Sequence, residues 1–544
     1  MGTTVRLSHI EINNHSRVAD LAVDIRRHAV FVGANDVGKS SILRLLNLLL
    51  AASTGQLYQQ LTLGDLTNAD EALTIEASFV EFSDAHRAVF PLEISVSEAD
   101  KTESLRVRMT VAADPDDPAA VDIRRWFPEA GHARAPSREQ QTAFGWRYLP
   151  ATRGASAASL EGPNSALQTL FRAIELGAEG ETLAKLLGDF NATLDASPKI
   201  GSLREGVALH LSKAMPRTID KDDLSVRTVA DPDSEVLANA SMFFKRDGAL
   251  VPIGEQSDGL RQLMSMTLFD LAEGTANVVA IDEPELHLHP SSQRTVAELF
   301  GSASNQKLLV THSPYIVQRF EPSEVIAIDR QGVCHQIAAD NLSAVEKERV
   351  HWWSPRLLEV LTARYAVIVE GATDRVIVEA VARLMGINFD RLGAVVFDLD
   401  GAMKFPHVYK LIGKSGFNVP ILGLVDEAEK MGWHGAIGGK PAEVFGITLW
   451  ASDPDLEAEY CAALTGPGAA RALVASGFCD DAAVLKSCGA MSLDDVTAEA
   501  VAAYCRKGKV PAAVAIAAQL DLTAAKKIAG VYGLLSALLS LGDA

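Results

Sequence analysis

An α/β fold in two consecutive units is what the sequence predicts, on three observations. A glycine-rich loop, Gly33 to Ser40, stands between an apolar strand and a leucine-rich helix. Apolar strands ending in acids recur far downstream, at Val278–Asp282 and again after residue 363. From 363 to 426 the pattern alternates in β-α-β-α-β order, which implies a parallel sheet with active residues at strand ends. Size agrees: 544 residues, 48% hydrophobic and 22% charged, are a globular composition with room for several cores.

Taken in order, VRLSHIEI, LAVDI and HAVFVG read as short strands, and residues 39–52 (KSSILRLLNLLLAA) as a helix with a wide apolar face. LTIEASFVEF and SLRVRMTV add strands. Between about 155 and 215 the pattern turns helical (SALQTLFRAIELG, ETLAKLLGDFNATL), punctuated by Gly and Pro. Strand NVVAID, helix SSQRTVAELF and strand KLLVTH complete the first unit. The second runs ARYAVIVEG, DRVIVEAVARLMG, AVVFDLD, FPHVYKLIGKSG and PILGLVD, and the last 80 residues are alanine-rich and helical. No fixed-period repeat is visible.

Charge and cysteine usage bound the function. The 50 Lys and Arg against 70 Asp and Glu give a net charge of −20, which excludes a uniformly basic coat for DNA or an anionic membrane but not a local basic groove. From residue 361 onward the balance is 16 basic against 21 acidic residues, so most of the acid excess lies in the first unit. Five cysteines without C-x-x-C spacing argue against a disulfide framework or a zinc knuckle and for a reducing compartment. The N-terminal stretch lacks an apolar signal core, and IAGVYGLLSALLSL is too short to span a bilayer. The expectation is a soluble, cytoplasmic protein with no membrane partner.

The first motif, Gly33-Ala-Asn35-Asp-Val-Gly38-Lys39-Ser40, fits the phosphate-loop pattern in the strand–loop–helix context it needs. Its glycines let backbone N–H groups wrap phosphates, Lys39 reaches the β- and γ-phosphates, and the Ser40 hydroxyl ligates Mg²⁺. Asn35 and Ser41 join the nucleotide-contacting set. A plain Gly-rich turn capping a helix is the alternative. Downstream, Val278-Val-Ala-Ile-Asp282-Glu283 ends a strand in two carboxylates, with Asp282 placed to hold Mg²⁺ and Glu283 to orient or deprotonate water. The strand LLVTHSP ends in His312, placed to sense the γ-phosphate or merely satisfied at a strand end.

These residues, G-A-N-D-V-G-K-S, then I-D-E-P-E-L-H-L-H-P, then V-T-H-S-P, resemble the ABC-type ATPase heads of the RecF and SMC superfamily. The resemblance implies heads that dimerise around ATP, with a signature loop of one completing the site of the other. Ser257-Asp-Gly259, 23 residues before Asp282, resembles that loop, with Ser257 and Gly259 reaching the γ-phosphate in trans. His287 and His289 read either as metal ligands or, as the resemblance favours, as bland companions of the aspartate–glutamate pair. The coupling glutamine of such heads would be Gln56, Gln59 or Gln60.

The second motif, Val367-Ile-Val-Glu370-Gly371-Ala-Thr-Asp374, sets Glu370 at a strand end and Asp374 at the start of the next helix. Two acids facing one cleft are costly unless a cation neutralises them, although Asp374 alone could be a helix N-terminal acid. Two later strand ends are acidic: Asp398-Leu-Asp400, which looks better as a paired site on pattern alone, and Asp426-Glu427-Ala428-Glu429. V-I-V-E-G-x-T-D followed by an acidic strand resembles the TOPRIM domain. An ATPase head followed by TOPRIM, over nearly the whole chain, resembles the OLD (overcoming lysogenization defect) family of ATP-dependent endonucleases, which includes the nuclease of Gabija-type phage defence. That family places Gly-rich residues where Phe397-Asp-Leu-Asp-Gly401-Ala-Met-Lys404 stands, so its second acid falls on Asp426, 56 residues after Glu370 rather than the 28 to Asp398. The chain departs from the family's D-x-D at Ala428; Glu429 or Glu427 would substitute, or Asp398 and Asp400 reach in. Asp455-Leu-Glu457-Ala-Glu459 resembles the family's L-E motif, adding Glu457 as a metal contact. Lys507-Gly-Lys509-Val-Pro resembles its K-x-K-P stretch, whose lysine offsets phosphate charge; the alternative is an exposed loop before a helix.

The resemblance therefore implies an ABC-type ATPase head at 1–355 with a helical insertion near 155–240, and a TOPRIM domain at 360–544 with helical additions. ATP and Mg²⁺ or Mn²⁺ are the implied cofactors, with metal at Ser40 and Asp282 and at Glu370, Asp374, Asp426, Glu429 and Glu457. The catalytic set would be Glu283, His312, Glu370, Asp374, Asp426 and Lys509. Double-stranded DNA, a second or fourth copy of the chain through heads and insertion, and a helicase or other defence protein are the implied partners. Two other readings stay open: a DNA-binding clamp or scaffold whose TOPRIM domain does not cut, and a TOPRIM domain acting on RNA.

Overall fold

The computed structural model describes all residues except 1–4, 100, 116, 118–119, 132–133, 152–165, 173, 175, 215–219, 225–236, 238–239, 247–248, 273–275, 303–304, 339–352, 439–446 and 543–544. Parts of the helical insertion expected near 155–240 thus lie outside the described residues.

Strands β1 (Arg6–Asn13), β2 (Leu21–Asp24) and β3 (Ala29–Gly33) lead into helix α1 (Lys39–Leu50). β4 (Leu73–Val80), β5 (Ser95–Val96), β6 (Glu103–Ala113) and β7 (Val121–Trp126) follow, then β8 (Trp146–Leu149). The stretch after β8 contributes helices α2 (Ala178–Ala196) and α3 (Pro198–Ala214), followed by the hairpin β9 (Phe243–Arg246) and β10 (Ala249–Pro252). Helix α4 (Asp258–Ala272), β11 (Val278–Asp282), α5 (Pro290–Ser302), β12 (Gln306–Val310), β13 (Val325–Ile328) and β14 (Cys334–Gln336) close the first unit.

Two sheets clasp α1. One runs β2-β1-β4-β6-β5, with β7 also on β6, and its pairings are antiparallel; the other runs β14-β13-β3-β12-β11-β8, parallel except for the edge strand β14. The α1 leucines Leu43, Leu45, Leu46, Leu48 and Leu49 are fully buried between them. Each is worth about 1.5–3 kcal/mol of transfer free energy, which makes α1 the anchor of the loop before it. Every residue of β3 is buried, but by alternation Phe31 faces the α1 side whereas Val30 and Val32 face the other.

The second unit opens with α6 (Pro355–Val360) and builds a parallel sheet, β16-β15-β17-β18, from β15 (Tyr365–Val369), β16 (Ala394–Asp398), β17 (Ile421–Asp426) and β18 (Ile447–Ser452). Strand β18 was not among the elements read from the sequence. Helix α7 (Ala372–Leu384) follows β15, α8 (Phe405–Ile412) follows β16 and α9 (Lys430–Ile437) follows β17. The C-terminal helices include α10 (Leu456–Leu464), α11 (Gly466–Ala475), α12 (Ala498–Ala517) and α13 (Ala529–Gly542).

One face of this sheet (Tyr365, Val367, Val369) packs on the C-terminal helices. The other (Ala366, Ile368, Phe397) shares a core with Val30, Val32 and Ile281 of the first unit, through Ile316, Phe320, Trp353 and Leu357. No described helix is long and apolar enough to cross a membrane.

Candidate functional site

The parallel sheets deliver polar residues at their carboxyl ends, and each unit gathers such a set. In the first, the turn from β3 to α1 needs its glycines. Gly38 has φ 88°, and a β-carbon there would run into the Arg17 carbonyl oxygen. Lys39 is buried, and its ammonium donates to the carbonyls of Gly33 (3.1 Å) and Ala34 (2.5 Å). Burial holds its pKa below the ordinary value, against the pull of Glu283, Asp282, Asp36 and Glu285. The Ser40 hydroxyl donates to Asp282 at 2.9 Å across β3 and β11, which are separated by β12. Asp282 is buried too, and desolvation raises its pKa despite the Ser40 bond.

A cleft of about 690 Å³ opens here, lined by Asn35, Gly38, Lys39, Ser40, Ser41, Glu283 and His312 of the residues singled out in the sequence. Glu283 adopts φ 48°, a left-handed conformation, and its N–H is tied to the Val310 carbonyl at 2.8 Å. Burial and the nearby Lys39 charge keep the His312 pKa low, so the ring is neutral at neutral pH.

Three participants escaped the sequence reading. Ser16 and Arg17 line the same cleft from the turn between β1 and β2. Glu285 accepts from the Thr311 hydroxyl (2.8 Å) and the His312 N–H (2.5 Å), so it couples the loop after β11 to the end of β12. An acid three residues beyond a Walker-type aspartate was the only signal available for it.

Ser257 and Gly259 do not line this cleft among its described residues. They begin α4, where a β-carbon on Gly259 would lie 2.8 Å from the His287 carbonyl oxygen. His287 and His289 are exposed, and the His289 ring faces the Ser291 hydroxyl at 3.0 Å. Gln56, Gln59 and Gln60 sit on an exposed helix, with Gln56 engaged in capping it.

The second set is carboxylates. Glu370 follows β15, and its Oε1 accepts the Asp426 N–H at 2.6 Å from the neighbouring β17. Asp374 accepts the Gly371 N–H at 2.7 Å, which is the capping arrangement expected of a helix-start acid. Asp426 Oδ1 accepts the Leu456 N–H at 3.2 Å, which brings the start of α10 and Glu457 alongside.

Desolvation is the largest cause of every shift in this set. Asp426 is pushed up to about 8, with Glu370, Asp374, Asp455 and Glu457 adding to it. Asp374 is pushed up to about 7, with contributions from Glu370 and Glu457. Glu370 is also raised, and there Glu429 and Glu457 add to burial. The acids are thus mutually close, and each raises the pKa of its neighbours.

The alternatives for the second acid separate clearly. Glu427 is turned to Lys430 (3.1 Å), whereas Glu429 stays within the field of Glu370. Asp398 is held by Arg356 (Nη1 to Oδ1, 2.8 Å, and a second bond from Nη2) and by Arg375 at 3.6 Å; Asp400 pairs with Lys404 at 2.9 Å. Each of these two therefore already has its cation. Glu459 accepts backbone N–H groups of Asp453 and Gly530, a structural use.

Lys507 and Lys509 lie in α12 where two helical stretches meet at a kink: Lys509 itself is non-helical, with φ 42°, and Pro511 follows in the second stretch. Lys509 is exposed, and its charge lowers the Glu457 pKa, as does Arg506. Arg506, unnoticed in the sequence, donates to both oxygens of Asp455 at 2.8 and 3.0 Å.

Among the described residues no three His, Cys, Asp or Glu side chains already converge as a metal cage. Glu370 and Asp374 are instead held on backbone amides. The donors are nonetheless all hard carboxylate oxygens, half-buried and crowded together, which suits Mg²⁺ or Mn²⁺ and not a thiolate-seeking ion.

Comparison with known proteins matches residues 29–318 to the family described as "AAA domain, putative AbiEii toxin, Type IV TA system". Residues 361–427 match "Overcoming lysogenization defect protein-like, TOPRIM domain". A curated relative, the OLD nuclease of Thermus scotoductus, is 23% identical over 422 residues, spanning 73% of this chain and 77% of that protein. Among solved structures, the C-terminal region of the Burkholderia pseudomallei OLD protein (22% identity, TM-score 0.27) covers 33% of this chain and 98% of its own. The Smc head domain of Pyrococcus furiosus (15%, TM-score 0.37) covers 63% and 99%.

Proposed function

From the premise that this chain belongs to the AAA-domain family and to the OLD-like proteins that join it to TOPRIM, we propose that it is an ATP-regulated, divalent-metal-dependent DNA endonuclease. The observation that carries this reading is the set of half-buried, mutually repelling carboxylates, Glu370, Asp374, Asp426 and Glu457, at adjacent strand and helix ends, with Lys509 and Arg506 acting on Glu457.

Those acids, with Glu429, would hold one or two divalent ions. When bound, such ions supply an activated water and stabilise the leaving 3′-oxygen of a phosphodiester. Asp374 and Asp426, near 7 and 8 without metal, carry protons around neutral pH that must leave as a cation enters. Lys509, exposed on the α12 kink, would offset the charge that builds on the phosphate. The local positive charge of bound metal also answers the net −20, since DNA would meet cations at the cutting site itself.

In the head, Lys39 would exchange its two loop carbonyls for phosphate oxygens, with Asn35 and Ser41 beside it. Ser40 and Asp282 would hold Mg²⁺, Glu283 would orient water, and His312 would read the γ-phosphate. Ser257 and Gly259, outside their own chain's cleft, would complete the cleft of a second head. Exposed apolar side chains on the insertion, among them Leu186, Phe190 and Leu203 at 60, 52 and 58% exposure, favour a homodimer or tetramer joined there as well. Cytoplasmic antiviral defence, with a helicase or similar partner, is the setting that the family relationship supports.

Ala428 favours a second reading, a DNA-binding clamp that does not cut, because it removes one expected ligand. Supercoiled plasmid incubated with Mg²⁺ or Mn²⁺, with and without ATP, decides between them. Nicking or linearisation that disappears in Glu370→Ala supports the nuclease. ATP hydrolysis with no cutting of any DNA or RNA under varied metals supports the clamp.

A further inference from the structure

The two sites are joined by a continuous physical route, and one arginine on it has no part in either. His312 is followed at once by the short helix Pro314–Val317, whose Ile316 and Val317 are buried in the core shared by both units. Trp353 donates from its indole nitrogen to the Phe320 carbonyl at 3.1 Å, and Leu357 and Leu358 of α6 are buried in the same core. The segment that leads into the second unit is therefore packed onto the segment that leaves the nucleotide cleft.

From α6, Arg356 reaches the end of β16. It forms the two-pronged pair with Asp398 and lies over the Phe397 ring, 6.0 Å from its centroid. Asp398 also faces Arg375, one residue beyond Asp374, and Arg375 is held in turn by Glu379 at 2.6 Å.

The end of β16 matters because of what it touches. Asp398 is the register partner of Val369, the residue before Glu370. Just beyond it, the Leu399 N–H donates to the Val369 carbonyl (3.0 Å) and the Gly401 N–H to the Glu370 carbonyl (2.8 Å). Whatever fixes Asp398 therefore fixes the backbone that carries Glu370.

We infer that Arg356 is a positioning residue that transmits the nucleotide state of the head to the carboxylate cluster, by clamping the Asp398–Gly401 turn against Glu370. This deepens the nuclease reading and rests on it only for the consequence at DNA; the mechanical link stands on the contacts above. A planar guanidinium suits the task, since its two parallel bonds to one carboxylate are lost together when the helix shifts. Bound nucleotide can act through it only if it favours one arrangement of the segment after His312 over another.

The test is hydrogen–deuterium exchange on the full-length protein, with and without a slowly hydrolysed ATP analogue, followed at the amides of 399–401. In the wild type the analogue should change their exchange rate at least twofold. Arg356→Ala should bind the analogue as before and lose that change. Arg356→Lys, which keeps charge and reach, should retain part of it, a rescue that a merely structural role would not give. Asp398→Asn is the second variant, should Arg356→Ala melt too early to be read, and it should uncouple in the same way. An analogue-dependent change that persists in both variants, or that is absent from a wild type that binds the analogue, overturns the inference. Where DNA is cut, the ratio of rates with and without ATP should fall toward one in Arg356→Ala. A protein that shows the exchange change but never cuts DNA removes the nuclease reading and leaves the relay standing.

Discussion

The nucleotide cleft and the carboxylate cluster are both built at the carboxyl ends of parallel strands, yet their charges are balanced in opposite ways. In the head, one buried lysine is surrounded by Asp282, Glu283 and Glu285, so the cleft carries its own counter-charge before any ligand arrives. In the second unit, Glu370, Asp374, Asp426 and Glu457 crowd together, while Arg506 beside them is committed to Asp455. A site for an anion can be pre-organised around a cation of the protein. A site for a cation must store repulsion until the ion comes.

The most damaging way to break this contrast is at Glu370. Glu370→Gln should lower metal-dependent DNA cleavage at least about 100-fold while leaving nucleotide affinity unchanged, as read by plasmid nicking beside a fluorescent-nucleotide titration. Lys39→Ala should do the converse. Nucleotide binding or hydrolysis should fall by about tenfold or more, and metal uptake at the carboxylates should persist.

Stability sharpens the contrast further. In metal-free protein the pKa values of Asp374 and Asp426 rise from an ordinary 3.8 to about 7 and about 8. The folded state therefore binds more protons than the unfolded one across that window. The stability that these two carboxyls contribute should be greatest below about pH 4 and should decline as pH rises toward about 8. Asp426→Asn should flatten the decline and raise the melting temperature of the metal-free protein at pH 8 by a few degrees, and Mn²⁺ should raise the wild type instead. A melting curve independent of pH between 4 and 8 would contradict the stored repulsion.

The smallest effect belongs to His287 and His289. Exposed, and not among the residues that line the nucleotide cleft, they should tolerate replacement by Ala with less than about a twofold change in metal-dependent activity.

How far each site was legible follows from the same contrast. The phosphate loop is eight consecutive residues, and the turn they make is a local matter of glycine φ and a helix start, so sequence alone placed Lys39 and Ser40. The carboxylates come from three strand and helix ends 56 and 31 residues apart, which only a sheet order can bring together. Sequence pattern alone favoured Asp398 and Asp400, and the family resemblance favoured Asp426. The pattern carries no sign that Asp398 is already paired, by Arg356 and Arg375 from helices on either side of β15 in the chain. Glu285 and Arg506 were illegible for a related reason: each works through a contact with a distant backbone or carboxylate that leaves no spacing signature. The helical stretch that runs up to the kink at Lys509 was not legible, because Gly508 and Pro511 read equally well as a loop.

Calorimetric titration of Mn²⁺ into nucleotide-free protein, in two buffers of different ionisation enthalpy at pH 7, tests the central claim most directly. Wild type should bind the ion with release of protons from the carboxylates, and Glu370→Gln and Asp426→Asn should lose most of that binding. No uptake by the wild type, or uptake that both variants retain unchanged, would contradict a cation site at this cluster.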